Sequence, residues 1–308
     1  MSTEIYIPRL RLMGDAKRGI CGGSRQVYKS TLYGRRTAQF RVTRFNYFDS
    51  APFLDGFANI EKAVLYGITS GIPEYLRKID GGKSLKDNII DLFLTASGHL
   101  FEEPGNLIKQ ELREPSTYNG IIEAIAHGAS RLNEISTECG IESNKCAKYL
   151  SSLQALGIIK KELPVTESLS KKSIYVLNDY MFRFWYRFVF PNMSAVVSEL
   201  GENVYAHTVE PQLSGYMGLA FEEICKQYLL VETKNGSLPF FVGKLGRWWG
   251  NNPGLKRQEE IDILGFHDNN AIFCECKWTN APMDSDVLDD LIEQNGLLFL
   301  YIRQNRLY

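Results

Sequence analysis

Apolar residues change their spacing along this chain, and each change predicts a different kind of element. From 52 to 111 they recur at helical spacing, with interruptions at Ser70-Gly71-Ile72-Pro73 and Asp80-Gly81-Gly82. These breaks predict short helices over 60–69, 74–79 and 84–100, because Gly and Pro end a helical run. From 118 to 177 the pattern predicts helices over 118–127, 131–139 and 143–156, then two strands. Gly140 falls just past the second helix, and Glu142-Ser143-Asn144 offers caps for the third. Ile158-Ile159 opens the first strand, 173–177 is its return partner, and polar residues 166–172 join them.

Three helices and a hairpin form the winged-helix variant of helix-turn-helix. Asn144, Lys145 and Lys148 on its third helix are placed to meet a DNA major groove, and a protein contact is the alternative. The segment 179–191 carries Tyr180, Phe182, Phe184, Trp185, Tyr186, Phe188 and Phe190. A helix apolar on most sides predicts a buried connector, with base stacking as the second reading. Before position 50 the chain reads as extended, with a half-buried strand over 39–47.

The chemistry concentrates near the C-terminus. A helix over 216–230 carries Glu222 and Glu223, and a loop holds Gly246-Arg247-Trp248-Trp249-Gly250. Two strands follow, 259–266 and 271–278, joined by His267-Asp268-Asn269-Asn270, which has hairpin-turn character. Residues two apart share a strand face, so Glu260 pairs in direction with Asp262, and Glu275 with Lys277. The hairpin can thus gather Asp262, Glu275 and Lys277. Two carboxylates can hold Mg²⁺, with waters and a phosphate completing the shell, and a lysine can offset charge developing on that phosphate. Cys274 and Cys276 bracket Glu275, face away from it and read as core residues. Leu297–Ile302 offers one more strand.

Composition narrows the classes of function. The formal net charge of −1 over 308 residues gives no global field toward nucleic acid, so any such contact is local. Six cysteines lie without a zinc-ribbon spacing, and the first dozen residues lack the apolar core of a signal peptide. Arg183 and Arg187 interrupt the best apolar stretch well short of a membrane span. A reducing cytoplasm is the expected setting, with no membrane and with a protein partner or a second copy open.

The arrangement Glu222, Asp262, Glu275-x-Lys277 resembles the PD-(D/E)XK, or restriction-endonuclease-like, nuclease superfamily. That resemblance implies catalytic roles for Glu222, Asp262, Glu275 and Lys277, with Asp262 and Glu275 as Mg²⁺ ligands. Taken in order, Leu32-Tyr33-Gly34-Arg35-Arg36-Thr37, Gly71-Ile72-Pro73-Glu74-Tyr75-Leu76, Glu111-Leu112-Arg113-Glu114-Pro115, Phe184-Trp185-Tyr186-Arg187-Phe188 and Glu275-Cys276-Lys277-Trp278 resemble the archaeal-type ATPase family, related to AAA+ proteins. The resemblance implies an α+β multidomain chain. Its parts are an AAA+ core-sheet remnant (1–50), a helical lid (51–115), the winged helix (116–178), an aromatic linker helix (179–197) and a nuclease-like α/β domain (198–308). It also implies that residues 20–24 match a sensor strand and that Arg35 or Arg36 matches an arginine acting on nucleotide. Family members begin with a P-loop that this sequence lacks, so the expectation is a truncated member with ATP in the family but no ATP site here.

Overall fold

The structure is a computed structural model that describes residues 43–168, 172–252 and 257–279. The basic turn at 32–37, the sensor-like 20–24 and the strand at 297–302 lie outside the described residues, as does most of the strand expected over 39–47. The remainder of that strand is corrected. Residues 43–46 carry no strand, and Tyr47–Ser50 is a helical turn, because the Asn46 side chain accepts from the Asp49 amide at 2.9 Å and caps it. Arg44 instead donates to Ser70 Oγ at 2.9 Å and to Asn178 Oδ1 at 3.1 Å.

The longer helices that follow are α1 (Asn59–Thr69), α2 (Leu85–Phe93), α3 (Glu103–Glu111) and α4 (Pro115–Ala126); the helix predicted over 74–79 is the single turn Pro73–Leu76 between α1 and α2. The α2 helix stops short of the predicted 100. Thr95 Oγ1 binds the Ile90 carbonyl at 3.0 Å, and the Gly98 amide binds the Thr95 carbonyl at 2.8 Å, which turns the chain. A Cβ on Gly98 would meet the Asp91 carbonyl at 2.5 Å, so this close return requires glycine.

Helices α5 (Leu132–Glu138) and α6 (Ser143–Ala155) then lead into strands β1 (Ile159–Glu162) and β2 (Ile174–Leu177). The two strands are antiparallel, with Ile159 opposite Leu177. Cys146, Leu150 and Leu153 of α6 are fully buried at i, i+4 and i+7, the stripe that fixes its inward face.

The aromatic segment is core, and its helix is irregular. It starts as α7 (Tyr180–Phe184), passes through a π-helical turn over Trp185–Val189 and ends at Phe190–Asn192. Trp185, Tyr186, Phe184 and Phe188 are each at most 2% exposed. Their polar tips find partners: Trp185 Nε1 donates to the Phe101 carbonyl at 2.5 Å, and the Tyr186 hydroxyl to Asn119 Oδ1 at 2.7 Å. This leaves no exposed ring for base stacking among these four. The segment joins the helical half to α8 (Glu210–Asn235), a 26-residue helix that ends at Gly236 with φ +69°. Tyr216, Met217, Ala220 and Ile224 are its buried stripe; α8 packs on α1, and Tyr216 also meets Tyr180 and Phe184 of α7.

Strands β3 (Lys244–Asn252), β4 (Arg257–His267) and β5 (Asn270–Cys274) form an antiparallel meander in that order. Trp248 and Trp249, expected in a loop, therefore lie in a strand. Trp248 is buried with Ile261, Leu264 and Phe266 in a second, smaller core. The turn between β4 and β5 has Asp268 at φ +48°, which Asp tolerates. Helices and small antiparallel sheets together make the chain a mixed α+β structure.

Candidate functional site

The β3–β4 pairing is irregular at the place where the charges collect. Gly246 faces Leu264 but Trp248 faces Ile261, so Arg247 alone is opposed by both Asp262 and Ile263. This is a β-bulge, a device that re-aims side chains and bends a strand. It also releases the Arg247 carbonyl, which accepts from the Val165 amide beyond β1 at 2.9 Å. A second bond, from Trp249 Nε1 to the Lys172 carbonyl at 3.0 Å, fastens the far end of the same connection. Both flanks of the β1–β2 connection, at Val165 and Lys172, are thus bonded to the edge strand of the C-terminal sheet.

Sequence alternation ignored one feature: β5 ends at Cys274. Ile263 pairs with Cys274, and residues 275–279 leave the ladder. Trp278 explains the departure, since its ring packs on Phe221 of α8 at 5.3 Å. The predicted strand over 271–278 is accordingly corrected to its first half. Cys274, Glu275 and Cys276 line one groove with Cys225 of α8.

The sequence-derived residues fall as follows. Glu222 on α8 and Asp262 on β4 line the same small cavity, of about 60 Å³, with Lys160, Arg183, Lys226 and Arg247. Asp262 Oδ2 accepts from the Cys276 amide at 2.7 Å, which ties β4 to the segment after β5. Glu275 Oε1 accepts from Lys277 Nζ at 2.5 Å, and this bond holds the Lys277 pKa above its ordinary value. Asn144, Lys145 and Lys148 are exposed on α6, remote in sequence from this cluster, with Lys145 Nζ over the Tyr149 ring at 5.6 Å.

The sequence reading assigned no role to Arg247, and the structure makes it the hub. Its guanidinium reaches Glu222 and Glu162 at 3.5 Å each, and it bonds Glu260. The signal available was an arginine among apolar and glycine neighbours, but its partners come from α8, β1 and β4. Burial pushes the Glu222 carboxyl up to about 7; Arg247 opposes this, while Asp262 and Glu260 add to it. Burial also works against Glu162, yet Lys160 and Arg247 outweigh it and hold that pKa below its ordinary value. Glu222 Oε2 is buried and lacks a hydrogen-bond partner.

These donors fit a hard cation in one respect. Mg²⁺ is usually held by one or two carboxylates plus water and phosphate oxygens, and the cavity has charged side chains in its walls and room for water. Among the described residues no group of three or more His, Cys, Asp or Glu is arranged to hold a metal ion. Of the four expected residues, Glu222 and Asp262 line this cavity, whereas Glu275 lines the neighbouring groove and Lys277 lines neither. Among the described residues, too, no helix is long and apolar enough to cross a membrane.

Residues 185–288 match the family model DUF234, described as archaea bacterial proteins of unknown function. The match takes in part of the aromatic segment, α8, the C-terminal sheet and all of Glu222, Arg247, Asp262, Glu275 and Lys277. An uncharacterized protein of Methanocaldococcus jannaschii is 34% identical over 263 residues, covering 84% of this chain and 57% of the relative. The chain thus spans just over half the length of the curated relative it matches. No solved structure matches it.

Proposed function

We propose that the region from α8 through Lys277 is a magnesium-dependent phosphodiesterase acting on DNA, as its resemblance to PD-(D/E)XK nucleases implies. The observation that carries this reading is the bulge at Asp262. It sets that carboxylate beside Glu222 of α8 in one small cavity, while the Cys276 amide binds Asp262 from the chain that bears Glu275 and Lys277. Asp262 and Glu275 would hold the cation, which when bound polarises a phosphoryl oxygen. Lys277 stays a cation at neutral pH, so it offsets charge on the phosphate rather than acting as a base. Glu222, with a carboxyl near 7, is suited to hold or release a proton at an attacking water.

The winged-helix reading of α4–α6 with β1–β2 supplies the nucleic-acid contact. The flanks of its wing are bonded to β3, so the exposed α6 face with Asn144, Lys145 and Lys148 is the surface we assign to a duplex. No nucleotide step is assigned, and ATP stays with the family that the sequence resembles.

A second reading is a non-catalytic DNA- or protein-binding module. Arg247 favours it, because a fixed guanidinium already neutralises Glu222 and Glu260. Plasmid and branched DNA are to be incubated with the protein and Mg²⁺ or Mn²⁺, beside Asp262→Ala and Lys277→Ala. Metal-dependent cleavage lost in both variants supports the enzyme. No cleavage by the unaltered chain, with no metal-dependent rise in its melting temperature, leaves the binding module.

A further inference from the structure

Cys225 on α8, Cys274 at the end of β5 and Cys276 beyond it converge on one apolar groove of about 420 Å³, together with Tyr228 and Ile263. All three are half-buried free thiols, so a small solute can reach them. They are not equivalent. Cys225 and Cys276 come from two elements far apart in sequence yet line the same groove, near enough for each thiol to act on the other. Cys274 is held in the ladder opposite Ile263. A bridge from Cys274 to Cys276 is disfavoured, because residues two apart in extended chain have Cα atoms about 6.7 Å apart, at the limit a disulfide spans.

We propose that Cys225 and Cys276 are a peroxide-oxidisable dithiol, a modification site whose disulfide clamps α8 to the segment bearing Glu275 and Lys277. Closing it requires the two sulfurs to approach to a bond of about 2.05 Å. Residues 275–279 are outside the β ladder, so this shift breaks no strand pairing. One thiol, as thiolate, attacks a peroxide oxygen and breaks the O–O bond, giving a sulfenic acid and hydroxide, which takes up a proton to leave as water. The second thiol attacks that sulfur; the S–S bond forms and the sulfenic oxygen leaves as a second water. Two thiols thereby give two electrons and two protons to one peroxide.

The clamp reaches the charged cluster directly. The amide of Cys276 holds Asp262, and Glu275 and Lys277 flank it in sequence. Cys225 lies one helical turn from Glu222 on α8. Oxidation therefore fixes the spacing between the helix and strand contributions to the site.

The test uses the full chain, reduced, treated with hydrogen peroxide, alkylated without reductant, digested and mapped by mass spectrometry. The expected product is a peptide pair joined through Cys225 and Cys276, reversed by dithiothreitol and absent in Cys225→Ser. Cys274→Ser is expected to retain it. Undiminished alkylation of Cys225 and Cys276 after peroxide, or a bridge through Cys274 instead, overturns the proposal. The readout involves neither nucleic acid nor metal, so its failure is distinct from failure of the phosphodiesterase reading.

Discussion

Arg247 Nε on β3 lies 3.5 Å from Glu222 Oε2 on α8, and this pair fastens the C-terminal sheet to that 26-residue helix. The guanidinium is only 20% exposed and the carboxylate 16%, so water does little to screen them. Removing one partner of such a pair leaves the other buried and uncompensated.

Arg247→Ala is therefore expected to destabilise the chain by about 2–4 kcal/mol. Glu222, Glu162 and Glu260 all lose their shared cation. Urea unfolding midpoints for the two proteins measure the effect. A change below about 0.5 kcal/mol, the range of an ordinary surface substitution, would show that the hub does not hold the sheet to the helix.

Stability of the metal-free protein is expected to fall as pH rises through neutrality. The Glu222 carboxyl, raised from 4.5 to about 7 chiefly by burial, favours the folded state when protonated. That contribution is complete below about pH 4.5 and lost as pH rises through about 7. Glu222→Gln removes the titration and flattens the slope, by on the order of 1–3 kcal/mol between about pH 5 and pH 8. Denaturant melts of both proteins in chelator at the two pH values decide it; parallel slopes would place the pH dependence elsewhere.

Tyr216 tests the joint between the helical half and α8. Its hydroxyl is fully buried, 2.8 Å from the Gly67 carbonyl and 2.9 Å from that of Tyr180, so one donor serves two elements. Tyr216→Phe keeps the ring but leaves both carbonyls without it, which is expected to cost about 1–3 kcal/mol. Thermal unfolding at fixed pH reads the loss directly, and an unchanged melting temperature would mean that the ring alone makes the joint.

Lys145→Ala with Lys148→Ala probes the α6 surface. If each lysine neutralises one phosphate, the slope of log K against log salt shallows by about 2 for duplex DNA. Titrations at several salt concentrations give that slope. An identical slope in the double variant would remove α6 from the DNA interface.

Much of this fold was legible because local rules carried it. The three helices over 115–155 and the hairpin after them follow from apolar spacing and from Gly140 at the end of α5, where φ is +62°. The aromatic segment declared its own burial. What local spacing missed was set by contacts from afar: Thr95 and Gly98 end α2, and Trp278 leaves the sheet to pack on Phe221. The carboxylates and the lysine were visible as residues, but the bulge opposite Arg247 was not, since a bulge exists only between two strands.

The sequence by itself determined most of the helices, the two hairpins, the buried stripes and which ionisable residues lie among apolar neighbours, because each depends on spacing within a few residues. Only the tertiary structure decided that Arg247 gathers Glu162, Glu222 and Glu260, that Glu222 meets Asp262, and that Cys225 meets Cys276. Those pairings join residues from separate elements, and their energies depend on burial and distance, which do not exist until the chain has packed.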